Sequence, residues 1–290
     1  MKKTLSLVLA LVMLFSVGVC AYAEPNQSRA VIGADLSDEQ IAAVYQAFGV
    51  TRGSVVELRV TNQEERQYLE GYVNEALIGT LSISCVYVEL LPQNSGMQVS
   101  TSNITWCTPE MYLSALATAG ILDAKVIVAS PYPVSGTAAL TGVYKAYEDM
   151  TGQPLNDLAK LISTQELTIT GDLANEIGAM DSVAIVNDLK LMLDETRNMS
   201  DAQLRETILN IAKEYDVQLK ESHISQLITL CRALEMLDYE ALRARVEKVQ
   251  WTLTHVSEAK IEEKGETSKF QQAIESIDQF FKRIGRFLGL

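Results

Sequence analysis

The chain has 290 residues, with 37 acidic against 24 basic side chains, a formal net charge of -13 and 48% hydrophobic content. That acidity repels phosphate backbones, so nucleic acid is excluded as a partner, while the apolar fraction is enough to build real cores. Two histidines and four cysteines leave little material for metal or thiol chemistry.

The first residues, "MKKTLSLVLALVMLFSVGVCAYA", place Lys2 and Lys3 before an apolar run from Leu5 to about Val19, followed by the small-x-small pattern Ala21-Tyr22-Ala23. This is the pattern of a secretory signal peptide, 1-23. Val19 stands before Cys20 where a lipoprotein cut needs a small residue, so cleavage is expected near Ala23. The predicted product is a secreted, extracytoplasmic protein. No later run approaches the roughly 20 apolar residues needed to cross a bilayer.

Ser37-Asp38-Glu39-Gln40 reads as a capping box, and Ile41, Val44, Tyr45 and Phe48 give the helix behind it one apolar face before Gly49. "SVVELRV" predicts a strand over 54-60. Thr61 with Glu64 is a second capping box, opening a helix expected to run to Gly79. "TLSISCVYVELL" then predicts a long strand over 80-91, and the turn "PQNSG" folds "MQVSTSNITW", 97-106, back onto it as a hairpin. Thr108-Pro109 starts a third helix ending at Gly120. "AKVIVAS" is a strand over 124-130, and a helix is expected from about Thr137 to Met150. Without the flanking helices the order is β-α-β-β-α-β, the split βαβ of ferredoxin-like domains.

After Gly152 the strand pattern disappears. Helices are predicted at about 155-163, 171-178, 182-196, 200-216, 221-237, 239-262 and 267-288, with Ser200 and Gln203 as a third capping box. The predicted class is thus α+β. A ferredoxin-like βαββαβ domain over 24-151 precedes an all-α helical bundle over 152-290.

Chemistry-bearing motifs are sparse. "VASPYPVSGTAALTG", 128-142, joins a strand to a helix N-terminus through a turn containing glycine, which makes Ser135, Gly136 and Thr137 the candidate ligand or anion loop. No Gly-Lys-Ser/Thr, GxGxxG or G-x-S-x-G accompanies it. The local reading is therefore a corner stiffened by Pro131 and Pro133, turned at Gly136 and capped by Ser135 or Thr137, with Asn103 and Thr105 as neighbours. His223 and His255 lack ligand spacing, so no metal, cofactor or catalytic residue is assigned. The acidic pairs Glu64-Glu65 and Glu148-Asp149 read as solvated faces. Cys85, Cys107 and Cys231 read as buried free thiols, a Cys85-Cys107 disulfide being the lesser alternative. "FQQAIESIDQFFKRIGRFLGL" forms a basic amphipathic helix suited either to packing or to peripheral membrane contact.

The phrases "IGADLSDEQ", "VTNQEERQYLEGYVNEALIGTLSIS", "NITWCTPEMYLSALATAGILDAKVIVASPYPVSGTAALTGVYKAYEDMTG" and "GDLANEIG" together resemble the YpuA-like family of secreted Gram-positive bacterial proteins, a family of unknown function. The resemblance implies export and the same two-part organisation, and carries no activity or catalytic residues. The expected function is therefore a non-enzymatic cell-envelope binding or structural protein with an unidentified envelope ligand or protein partner. Two alternatives stand beside it: a hydrolase using the Ser135-Gly136-Thr137 loop, and a membrane-surface protein held by its last helix.

Overall fold

The computed structural model describes residues 27–73 and 75–264; the predicted leader and the predicted helix at 267-288 lie outside them. Among the described residues are a five-stranded sheet and eleven helices. The elements run β1 (Ser28–Gly33), α1 (Asp38–Phe48), β2 (Val56–Val60), α2 (Asn62–Leu69), α3 (Glu75–Ile78), β3 (Cys85–Leu90), β4 (Gln98–Ile104), α4 (Pro109–Ala119), β5 (Ala124–Val134) and α5 (Ala139–Thr151). Only helices follow: α6 (Asp157–Ile177), α7 (Ala179–Leu191), α8 (Leu193–Thr196), α9 (Asp201–Glu214), α10 (Glu221–Leu234) and α11 (Tyr239–Lys264).

The strands lie in the order β2-β1-β3-β5-β4, with β3 antiparallel to both neighbours and the outer pairs parallel. This corrects the ferredoxin-like expectation. The predicted β3-β4 hairpin does not form, because β5 inserts between the two. Polarity explains the order: β5 buries Ala124, Val126, Val128 and Ala129 completely, whereas β4, "QVSTSNI", alternates exposed and half-buried residues and takes an edge. The strand β1 is absent from the sequence reading, since its apolar run is only Ala30-Val31-Ile32.

Helix α1 covers one face of the sheet, over Ala30, Ile32, Cys85, Tyr87 and Ala129. On the other face, α4 and α5 cover Val31, Val86, Val88, Val126 and Val128. The β1-α1-β2 and β4-α4-β5 connections both step toward the same edge of the sheet. Their helices lie on opposite faces, so the crossovers have opposite hands and one is the uncommon left-handed form.

All three predicted capping boxes form, at Ser37/Gln40, Thr61/Glu64 and Ser200/Gln203, and Thr108 caps α4 with Pro109 in its first turn. The helix expected from Thr61 to Gly79 breaks instead at Glu70-Gly71, where Gly71 adopts φ +83°. The two helices expected at 155-163 and 171-178 are one, α6. Its Thr164 and Thr168 hydroxyls donate to the carbonyls of Lys160 and Thr164, so the polar run between them stays helical.

Helices α6 to α11 enclose their own cluster, including Ile185, Leu189, Leu204, Ile208, Leu227, Leu234 and Leu242. The sheet's core nevertheless reaches into them. Nine residues of α4, Met111 to Ala119, are buried, and Leu167, Val183 and Val249 from α6, α7 and α11 complete that core. A helix buried on every side belongs in an interior, which is where α4 sits.

Candidate functional site

A cleft of about 570 Å³ opens at the carboxyl ends of β4 and β5. It exists because β3 and β5 stop pairing. The backbone N–H of Leu91 donates to the Asp123 carbonyl at 2.7 Å, which sets the phase of this antiparallel ladder. Odd-numbered residues of β3 therefore turn their N–H and C=O toward β5, down to the last pair, Cys85 with Ala129. Continuing the register would set Ile83 opposite residue 131 and Leu81 opposite residue 133. Both are prolines, which have no N–H to give, so the ladder ends and residues 80-84 peel away. This also explains why the strand expected over 80-91 is observed only over Cys85–Leu90.

The departing segment is held on its other side. Ser82 N donates to Asp35 Oδ2 at 2.7 Å and Ser82 O accepts from Asp35 N at 3.4 Å. Gly33, at the end of β1, is required by this approach, since a Cβ there would lie 2.2 Å from the Ser82 carbonyl oxygen. Ser82 Oγ lies 2.8 Å from the Val60 carbonyl and 2.6 Å from Glu65 Oε1. Its one proton serves one acceptor, so both contacts are satisfied together when Glu65 is protonated and donates to Ser82. Glu65 is completely buried. Its carboxyl is pushed up to about 7, chiefly by burial and against hydrogen bonds from Ser82 and Asn62, with the charges of Asp35 and Glu64 adding to the rise.

Leu81 and Ile83 form one wall of the cleft, Pro133, Val134 and Ser135 the other, with Thr105 and Trp106 at the end of β4 and Ala76 to Thr80 closing one side. No titratable side chain is among the described lining residues. The leucine at the mouth is 54% exposed. The arrangement presents hydroxyls, apolar surface and one indole, which suits an uncharged ligand.

Of the predicted loop, Ser135 lines the cleft and all three residues serve as its fastening. Ser135 Oγ and Thr137 Oγ1 both donate to the Leu77 carbonyl, at 2.9 and 3.3 Å, tying the loop to α3. Neither caps α5, whose N-cap is Ala138 without a side-chain hydrogen bond, and this corrects the capping expectation. Gly136 has φ +95°, and a Cβ there would meet Ile104 Cγ2 at 2.5 Å and the Tyr112 hydroxyl at 2.6 Å. That hydroxyl donates to the Gly136 carbonyl at 2.6 Å. Thr105 lines the cleft and donates to the Val134 carbonyl, whereas Asn103 adopts φ +58° at the bulge and donates to the Ser130 carbonyl.

The other candidates are structural. Glu64 pairs with Lys145 at 2.5 Å, Glu148 with Lys160 at 2.9 Å and Asp149 with Arg29 at 2.5 Å. The burial of Glu65 corrects the expectation of a solvated face. Cys85, Cys107 and Cys231 are free and buried, with burial pushing the Cys85 and Cys107 thiols up to about 12. His223 is buried on α10.

Sequence reasoning missed a buried polar cluster between α4, α6 and α7. Lys190 Nζ reaches Glu166 Oε1 at 2.5 Å, Ser114 Oγ at 2.9 Å and the Ser114 carbonyl at 3.1 Å. Thr118 donates to Glu166 Oε2 at 2.6 Å. Both charged side chains are fully buried. Burial holds the Lys190 ammonium below its ordinary value, opposed by Glu166. Apart from Asn187 on the same helix, its partners are distant in sequence and leave no short-range pattern to read.

Residues 32–251 match the family described as "Protein of unknown function (DUF1002)", and the chain belongs to that family. It is similar to "Uncharacterized protein YpuA" of Bacillus subtilis (strain 168), with 34% identity over 244 residues, covering 83% of this chain and 84% of that protein. No solved structure matches.

Proposed function

We propose that this member of the family is exported and acts outside the cytoplasm as a non-catalytic binding protein, taking an uncharged ligand into the cleft between β3 and β5. The observation that carries this reading is the cleft wall itself: hydroxyls, apolar side chains and an indole, with no acid, base or histidine among the described lining residues. The Ser135 hydroxyl has committed its proton to a backbone carbonyl and has no base beside it in the cleft, which favours binding over hydrolysis. Export is supported by Lys2, Lys3 and the apolar run before Ala21-Tyr22-Ala23. The helical part, residues 152-264, serves in this reading as the support that keeps α4 and the sheet fixed.

The mature chain, residues 24-290, immobilised and incubated with fractionated cell envelope, should retain a component that a Leu81→Asp variant does not. Equal retention by both forms would remove the cleft from consideration. Immunoblots of cell fractions should find a processed chain outside the cytosol, and an unprocessed cytosolic chain would overturn the proposed location.

A further inference from the structure

We propose that the ligand is an extended polypeptide segment, bound by adding a strand in the split between β3 and β5; this rests on the cleft being the binding site. The phase of the β3 ladder turns the backbone of Leu81 and Ile83 into the split, and neither N–H has a partner among the described residues. Ile83 C=O takes only a 3.4 Å contact from the Cys85 thiol. On the opposite wall β5 presents Pro133, with Pro131 between it and the last ladder pair, and prolines offer carbonyls and no donors. One wall thus carries donors and acceptors at alternate residues, with the spacing of a strand edge, and the other accepts. A backbone in the extended conformation matches both, and a compact solute does not.

The absence of charge on the walls selects uncharged side chains in the bound segment. The exposed Leu81 gives an apolar residue of that segment a surface to cover. The prolines have a second consequence: they stop the protein's own strands from filling the split, so the site stays open for a guest.

A pool of N-acetylated, C-amidated octapeptides randomised over Val, Thr, Ser, Ala and Tyr is passed over the mature protein, and enriched members are then measured by fluorescence anisotropy. A hexamer of β-1,4-linked N-acetylglucosamine serves as the uncharged non-peptide probe. Peptides should be enriched, and methylating their backbone nitrogens at alternate residues should weaken binding by about tenfold or more. Replacing both prolines, Pro131→Thr with Pro133→Thr, restores the missing donors, so β3 and β5 can zip shut. That variant should lose peptide binding without losing its thermal melt, and Leu81→Asp should lose binding while remaining folded. No enrichment, undiminished binding of the methylated peptide, or full binding by the proline variant would overturn the inference. Binding of the saccharide alone, abolished by Leu81→Asp, would leave the cleft as the site and remove the peptide.

Discussion

The proton on Glu65 should make the stability of this protein fall as pH rises from acid to mildly alkaline. Its carboxyl titrates near 7 in the folded chain and near 4.5 when unfolded. The native state therefore holds a proton that the unfolded state has already released. The resulting stability is complete below about 4.5 and is lost as pH climbs through about 7. Between pH 5 and pH 8 this amounts to about 2.5 kcal/mol for the single group. Gln at this position is neutral at every pH, can donate to Ser82 Oγ and can still accept from Asn62. Urea unfolding of wild type and Glu65→Gln, followed by circular dichroism at pH 5, 6, 7 and 8, separates Glu65 from other titrating groups. Asp188, pushed up to about 7 mainly by burial, is present in both proteins and contributes equally. The variant should lose about 2.5 kcal/mol less than wild type over this range. Identical slopes would show that Glu65 is ionised in the native state and that the proton-sharing reading of Ser82 is wrong.

Further outcomes follow from the buried contacts. Lys190→Met leaves the Glu166 carboxylate buried without its cation and should cost about 3 to 5 kcal/mol in urea unfolding, while adding Glu166→Gln should restore part of the loss. Gly136→Ala forces a side chain into left-handed backbone against Ile104 and the Tyr112 hydroxyl, and a drop of about 2 kcal/mol in chemical denaturation is expected. A fragment ending at residue 151 exposes most of α4 and should show no cooperative thermal transition; a sharp melt would mean that the sheet core does not need α6, α7 and α11.

What could be read from the sequence was local. Capping boxes and Thr108-Pro109 place helix starts within one turn, because the chemistry that fixes them spans three or four residues. The polar run Ser163 to Gly171 looked like a break, yet Glu166 within it is neutralised by Lys190 from another helix. Strand order was not legible for the same reason. β5 sits between β3 and β4 through its burial on both faces, a preference expressed only when three distant segments meet. Pro131 and Pro133 were visible from the start, but reading them as stiffeners of a corner missed their register. Only the pairing of Cys85 with Ala129 shows that they fall where two donors are needed. Of the loop from Ser135 to Thr137, only Ser135 is among the described residues that line the cleft, and the Ser135 and Thr137 hydroxyls are turned to fastening.

Trp106 lines the cleft, and its six-membered ring occupies the space a methyl group on Gly171 would need, with Cζ2 only 2.4 Å from that position. The indole thus stands between the cleft and the long helix α6, which carries Glu166 and Lys160 further along its length. In the proposed binding role, a guest that tilted the ring would push on α6, and by reciprocity a load on that helix would alter the grip on the guest. Filling of the cleft, if it takes the proposed ligand, should then change the Trp106 part of the emission of the two tryptophans, a response expected to be lost once Gly171 is enlarged.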